Sequence, residues 1–319
     1  MIAGNIERVA GRPAGWRVVL AFGIVYLGYG LNFLAIKAGV ESMPAFLFAA
    51  SHILGAGGDF DGLDGGARGG VLMPRANIGR AAFAALFLFV GGVGLVTQGE
   101  KLGVPSGIAA IIKASVPLWV VLLEFLRPKG EKPGAIVLAG LVAGAVGVVL
   151  LVAPRLSGAM NSGGTLGTAL LLLSALLFAI GSIFVRNYPP DTDAVRSSMW
   201  MMVFGGCYLV FLGAVLGEFG QITEAEFGWK TVSAFLFLLF VHSLAAFTAM
   251  NWLLSHLPAS IVTTKFFVSP AVAVLAGWLV LGETVVLGET VGLETLASLL
   301  LILAGVGVVF VGRYRAAKG

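Results

Sequence analysis

The sequence predicts an all-α, polytopic membrane protein of ten transmembrane helices, built as two inverted five-helix repeats. Three observations predict it. The 319 residues are 58% hydrophobic and only 11% charged, with a mean hydropathy of +0.99, whereas a soluble domain carries about 25% charged residues. The apolar residues come in long runs, and about 20 of them carry a helix across a ~30 Å hydrocarbon layer. Motifs of the first half also return, in order, in the second. A water-soluble fold of this length has too little interior to hide so many apolar side chains.

The spans fall at about 18–37, 43–57, 81–100, 104–125, 134–153, 166–186, 198–216, 231–254, 259–281 and 293–312. The first follows Arg8, Arg12 and Arg17, which resembles the basic start of a signal peptide. Its apolar run exceeds the 7–15 residues of a signal core and nine more spans follow, so it reads as a retained helix. The second is the anomaly. Met43 to Gly57 is 15 residues, only ~22 Å of helix, and it runs into a glycine-rich stretch holding Asp59, Asp61 and Asp64. Aspartates at membrane depth are costly and glycines forfeit helix propensity. Two readings stay open for 52–80: a short second helix whose chain re-enters a water-lined cavity, or a reading-frame error that scrambles the span.

Orientation follows from lysine and arginine in the loops. Of the 20 basic residues, 14 fall on the side of the N-terminus, four on the other side (Lys37, Lys101, Arg155, Lys230), and Lys113 and Lys265 lie within spans. Both termini are therefore expected in the cytoplasm. Trp16, Trp200 and Trp229, near span ends, suit the membrane interface.

The repeat is read from spacing. Pro105-Ser106-Gly107 opens the fourth span and Pro117 follows twelve residues after Pro105; Pro258-Ala259-Ser260 opens the ninth, and Pro270 follows by the same twelve. Ala143-Gly144-Ala145-Val146-Gly147 is echoed by Ala304-Gly305-Val306-Gly307. Residues 1–155 and 156–319 thus each hold five spans, and because five is odd the second half enters the membrane inverted. Inverted repeats are the architecture of secondary transporters, with the solute site near the midplane between the halves.

These motifs carry a family resemblance. Gly30–Gly39 (GLNFLAIKAG), Gly94-Leu95-Val96 with Glu100, and Pro105–Trp119 (PSGIAAIIKASVPLW) resemble the EamA-type members of the drug/metabolite transporter superfamily. So do Ala179–Ser182, Ser243–Leu254 and Pro270–Glu283 in the second half. The resemblance implies a ten-helix inner-membrane carrier that exports small metabolites or amino acids without ATP hydrolysis. Three places depart from it: the shortened second span, where the family carries an arginine near the position of His52; Lys265, where the family often carries an aromatic residue; and the tandem Leu281-Gly282-Glu283 and Leu287-Gly288-Glu289, where the family carries one such triplet.

Composition and motifs exclude other classes. A single cysteine, Cys207, removes disulfide frameworks and cysteine-type zinc sites. The net charge of +4 is small and scattered, so nucleic acid is not an expected partner. His52, His242 and His256 have no metal-ligand spacing, and there is no GxSxG elbow or Walker A sequence. Gly305-Val306-Gly307 lies inside a span and reads as packing. No enzymatic activity and no cofactor are expected.

Polar groups inside spans are functional candidates by default. Lys113 shares a helical face with Ser106, Ala110, Pro117 and Glu124 and lies ~13 Å deep; it can bind a solute carboxylate, exchange a proton, or pair structurally. Lys265 stands five residues before Pro270, whereas Lys113 stands four before Pro117. That difference turns the two lysines ~100° apart, so only Lys113 is expected to face the cavity. Thr263, with Thr264 and Ser269, is a further candidate. Asn32 with Ser182, and Gln98 with Asn251, occupy repeat-related positions and suit a polar metabolite, or serve as interhelical glue. Glu100 is a candidate gate, or an exposed pair with Lys101. Pro117 and Pro270 free mid-span carbonyls and are candidate hinges.

The expected function is secondary transport, outward, of a small metabolite or amino-acid-like solute across the inner membrane. The expected partners are the lipid bilayer and the small-molecule substrate, with protons as a candidate coupling ion and a homodimer as a candidate assembly. The alternatives are a non-transporting membrane sensor or assembly protein, and a carrier inactivated at its second span.

Overall fold

In the computed structural model the described residues are 15–58, 75–126, 134–156, 162–187, 194–222, 227–256, 265, 269, 272 and 293–316. They form helices and no strand. In chain order these are α1 (Gly15–Val40), α2 (Ala45–Gly58), α3 (75–101), α4 (Ser106–Leu126), α5 (Ala135–Leu156), α6 (Ser162–Asn187), α7 (Ala194–Val215), α8 (229–256) and α9 (Leu293–Ala316). The first eight coincide with the first eight predicted spans, and α9 with the tenth. Of the ninth predicted span only Lys265, Ser269 and Val272 are described, each helical. Six of the described helices are long and apolar enough to cross a membrane, and Ala45–Gly58, Ala135–Leu150 and Leu296–Val309 are shorter apolar segments. Thr263, Pro270, residues 59–74 and the tandem triplets at 281–289 lie outside the described residues.

Large apolar side chains point outward along the bundle, among them Leu27 on α1, Val149 on α5, Phe211 on α7, Phe240 on α8 and Leu300 on α9. In water such a surface would aggregate; against lipid tails it carries no penalty.

The helices pair in a pattern that respects the repeat. The second helices of the two halves, α2 and α7, pack together, and so do the last ones, α5 and α9. The first helix of each half lies against the third of the other: α1 on α8, and α6 on α3. The duplicated glycine motif thus meets its own copy. A Cβ on Gly305 would stand 2.5 Å from the Gly144 nitrogen and 2.6 Å from the Gly140 oxygen, so the α5 and α9 backbones touch where Gly140 and Gly144 form a small-xxx-small pair.

The described stretch of the second helix is an interior element. Phe46, Phe48, Ala49, His52 and Ile53 are buried between α7, α8 and α3. Its first turn is capped from the other half of the chain. After α7, Gly217 takes a left-handed φ of 72°, the turn residue that glycine supplies without strain, and a 3-10 turn begins at Glu218. The Glu218 carboxylate accepts the Phe46 N–H at 3.1 Å and the Leu47 N–H at 2.9 Å. A helix leaves its first N–H groups without intrahelical partners, and a carboxylate there satisfies them and complements the helix dipole.

Two helices change their winding in mid-course. Leu86–Gly94 in α3 and Phe237–Ala246 in α8 are π-helical. Pro105 and Pro258 set the repeat offset at 153 residues, and that offset carries the first π segment onto 239–247, almost the second. π segments re-aim side chains and recur at functional sites. Helix α4 breaks at Ala114–Ser115, between Ser106–Lys113 and Val116–Leu126. The break stands just before Pro117, which has no N–H to give to the Lys113 carbonyl.

Candidate functional site: a cavity between the two halves

A cavity of about 90 Å³ lies in the middle of the bundle. Its walls come from α1 (Tyr29, Asn32), α3 (Gly92, Val96), α4 (Ala110, Lys113), α6 (Phe178) and α8 (His242), together with Lys265 and Ser269. These belong to predicted spans one, three, four, six, eight and nine. The volume is well under the ~300–1,000 Å³ of ordinary ligand clefts, enough for several waters and too small for a large solute without movement.

Lys113 is 9% exposed. Its Nζ donates to Ser174 Oγ at 3.1 Å, to the Ser174 carbonyl at 3.3 Å and to the Gly92 carbonyl at 3.4 Å. Ser174 Oγ in turn donates to the Gly92 carbonyl at 3.1 Å. Gly92 sits in the π segment of α3, where the altered winding turns a carbonyl toward neighbouring side chains. The ammonium also lies over the Phe178 ring, 4.7 Å from its centroid, an electrostatic contact that strengthens as water is excluded.

The structure corrects the expectation for Lys265. It is 5% exposed and lines the same cavity as Lys113, with Nζ 3.5 Å from the Tyr29 ring centroid and 2.9 Å from Met250 Sδ. The ~100° separation assumed that both helices present repeat-equivalent faces. The spacing of Lys265, Ser269 and Val272 instead defines one face, and Val272 packs at Gly30 of α1. A four-carbon stem also swings its ammonium well off the direction of its Cα. The outcome is a near-symmetric pair: Lys113 on Phe178, four residues before Ser182, and Lys265 on Tyr29, three residues before Asn32.

Other candidates divide. Asn32 lines the cavity, and its Oδ1 is buried with no hydrogen-bond partner among the described residues. Gln98 and Ser182 are not among the lining residues, and Ser182 Oγ donates to the Phe178 carbonyl at 2.7 Å, the i−4 bond common for serine in membrane helices. Asn251 lies on α8, with its side chain outside the description. Glu100 is fully buried, which removes the exposed pair with Lys101. Lys101 Nζ donates to the Val40 carbonyl at 2.6 Å, and Lys37 Nζ to the Glu100 carbonyl at 3.0 Å. These bonds satisfy the last carbonyls of α1 and α3.

Sequence reasoning passed over Tyr29, Ser174, Phe178 and His242. His242 Nδ1 lies 3.3 Å from the Gly28 carbonyl, so that nitrogen carries the proton, and its ring meets Tyr29 edge-on with centroids 4.8 Å apart. His52 of α2 lies one layer behind, with Nδ1 3.3 Å from Ser243 Oγ. Among the described residues no group of three histidine, cysteine or carboxylate side chains could hold a metal ion.

Residues 15–153 and 165–311 each match the EamA-like transporter family. The chain belongs to this family. It is 30% identical over 293 residues to an uncharacterized inner membrane transporter, YedA, of Escherichia coli strain K12, covering 91% of this chain and 89% of that protein. A probable amino-acid metabolite efflux pump of Salmonella typhimurium is 24% identical over 297 residues, 89% of this chain and 91% of the pump. A solved crystal structure with 18% identity superposes with a TM-score of 0.62, over 97% of this chain and all of that one, which shows a shared fold. The EamA-type protein is thus a membrane transporter of the drug/metabolite superfamily.

Proposed function

We propose that this EamA-type protein is a secondary transporter that exports a small, carboxylate-bearing, amino-acid-like metabolite across the inner membrane by alternating access. The reading holds ten spans in two inverted repeats, 1–155 and 156–319, with both termini in the cytoplasm. One observation carries it: the cavity between the halves is lined from both, with Lys113 and Lys265 among its lining residues. Charged groups at membrane depth are costly and mark solute or ion pathways. The kinship with a probable amino-acid metabolite efflux pump supports the solute class and the outward direction. The small cavity fits a contracted state, which opens to one side when the halves rock apart. Pro117 and Pro270 are proposed hinges and Glu100 a proposed gate, with protons as the proposed coupling ion.

The test is export from intact cells. Cells overproducing the protein are loaded with labelled dipeptides, and the amino acids released to the medium are compared with those from cells producing Lys113→Met. The expected result is a set of acidic or zwitterionic products whose release falls ~10-fold or more in the variant, the loss of one charge-assisted contact, with equal protein in the membrane. Lys230→Met, at an exposed position, is expected to match the wild type. Undiminished release from Lys113→Met cells would remove the cavity from the transport route.

A further inference from the structure

One hydroxyl beside the cavity bonds differently from its neighbours, and its role deepens the proposed function, on which this inference rests. Hydroxyls in membrane helices ordinarily return their proton to the carbonyl one turn earlier. Thr97 on α3 and Thr168 and Ser182 on α6 do so, donating to the carbonyls of Val93, Gly164 and Phe178 at 3.0, 2.8 and 2.7 Å. Ser174, also on α6 and fully buried, is different. Its Oγ donates across to α3, to the Gly92 carbonyl at 3.1 Å. The two helices come this close because Gly91 and Gly92 carry no side chain. A Cβ on them would stand 2.7 Å from Leu177 Cβ and 2.6 Å from the Phe178 ring.

A serine hydroxyl can donate or accept. With its one proton given to Gly92, Ser174 Oγ turns its lone pairs to the Lys113 ammonium, 3.1 Å away. Phe178, one turn further along the same face of α6, lies against that ammonium at 4.7 Å. Helix α6 thus holds a lysine of α4 in a fixed direction, although a lysine stem is flexible and its ammonium a free-turning point charge. The hold is loose. The Ser174 and Gly92 acceptors are neutral and stand 3.1, 3.3 and 3.4 Å from Nζ, beyond the ~2.7–2.9 Å of an ammonium on a carboxylate. A solute carboxylate therefore displaces the longest contact, that to Gly92, while the Gly92 carbonyl keeps the Ser174 proton. Ser174 is not among the cavity-lining residues, so it acts through Lys113.

We infer that Ser174 is a positioning residue of the transport site: its hydroxyl, fixed as an acceptor by the Gly92 carbonyl, aims the Lys113 ammonium at the carboxylate of the solute.

The experiment uses the full-length protein in liposomes. Uptake of a labelled amino-acid mixture identifies the best-transported member, whose KM and maximal rate are then measured, with the unlabelled acid and its carboxamide as competitors. Ser174→Ala is expected to raise KM ~5-fold or more at unchanged maximal rate, the net worth of about one hydrogen bond. It should shrink the advantage of the acid over its amide by the same factor. Ser174→Thr, which keeps the hydroxyl, should hold KM near that of the wild type. In a Lys113→Met background Ser174→Ala should alter neither KM nor the acid's advantage, since no ammonium is left to aim. If Lys113→Met weakens transport while Ser174→Ala keeps the wild-type KM, or weakens acid and amide alike, the positioning role is overturned and the cavity remains the site. If Lys113→Met transports as the wild type, or no amino acid of the mixture enters, the proposed function is overturned and this inference with it.

Discussion

At the residue scale the chain spends its few buried charges at definite places. Glu218 reaches the first turn of α2, about 170 residues earlier in the chain, and takes two backbone N–H groups. Removing it leaves two buried donors without partners, so Glu218→Ala is expected to cost about 1.5–3 kcal/mol, read as a lowered unfolding temperature in detergent. Glu218→Gln, which keeps one acceptor oxygen, should fall between; equal stability of all three would contradict the cap. None of this was legible in sequence, because a cap supplied across so many residues leaves no local signature. Lys113 was legible as a candidate, since a lysine deep inside an apolar run must be paired, hydrated or neutral, although the sequence did not choose between solute binding, proton exchange and a structural pair. Lys265 was half legible: its depth was evident, but its direction depends on how the helix is rotated against α1, which only tertiary packing sets.

At the scale of elements, the apolar runs located the described helices well, and the glycine motifs marked close packing at Gly305 but not at Gly307. Gly305 meets the α5 backbone, whereas a Cβ on Gly307 would meet nothing within 4 Å. Gly305→Val is therefore expected to destabilise the protein by about 1–3 kcal/mol through overpacking, and Gly307→Ala to leave its unfolding temperature unchanged. The π segments escaped sequence reasoning. A π turn keeps the apolar composition of the helix around it, and what marks it is a one-residue change of register visible only in the hydrogen bonds. That register places Gly92 and His242 on the cavity wall. A Cβ on Gly92 would come within 2.6 Å of the Phe178 ring, so Gly92→Ala should shift the ring that backs Lys113 and lower flux while the protein still inserts and folds. Unaltered flux in that variant would mean the Lys113–Phe178 contact is incidental.

For the whole molecule, the pairing of α2 with α7, of α5 with α9, and of α1 with α8 as α6 with α3 makes the boundary between halves run through the cavity. On the expected ten-span topology 14 of the 18 basic residues outside the spans fall on the side of the N-terminus, so an alkaline phosphatase reporter fused after Gly319 should stay inactive; strong activity would reverse the orientation. The central claim is that this cavity opens in turn to either side. Its most direct measurement uses a chain with Cys207→Ser, which removes the one native thiol, and Asn32→Cys on the cavity wall. A membrane-impermeant thiol reagent is applied to right-side-out and to inside-out vesicles. Alternating access predicts labelling at residue 32 from both sides. Labelling from one side only, or from neither, would contradict it.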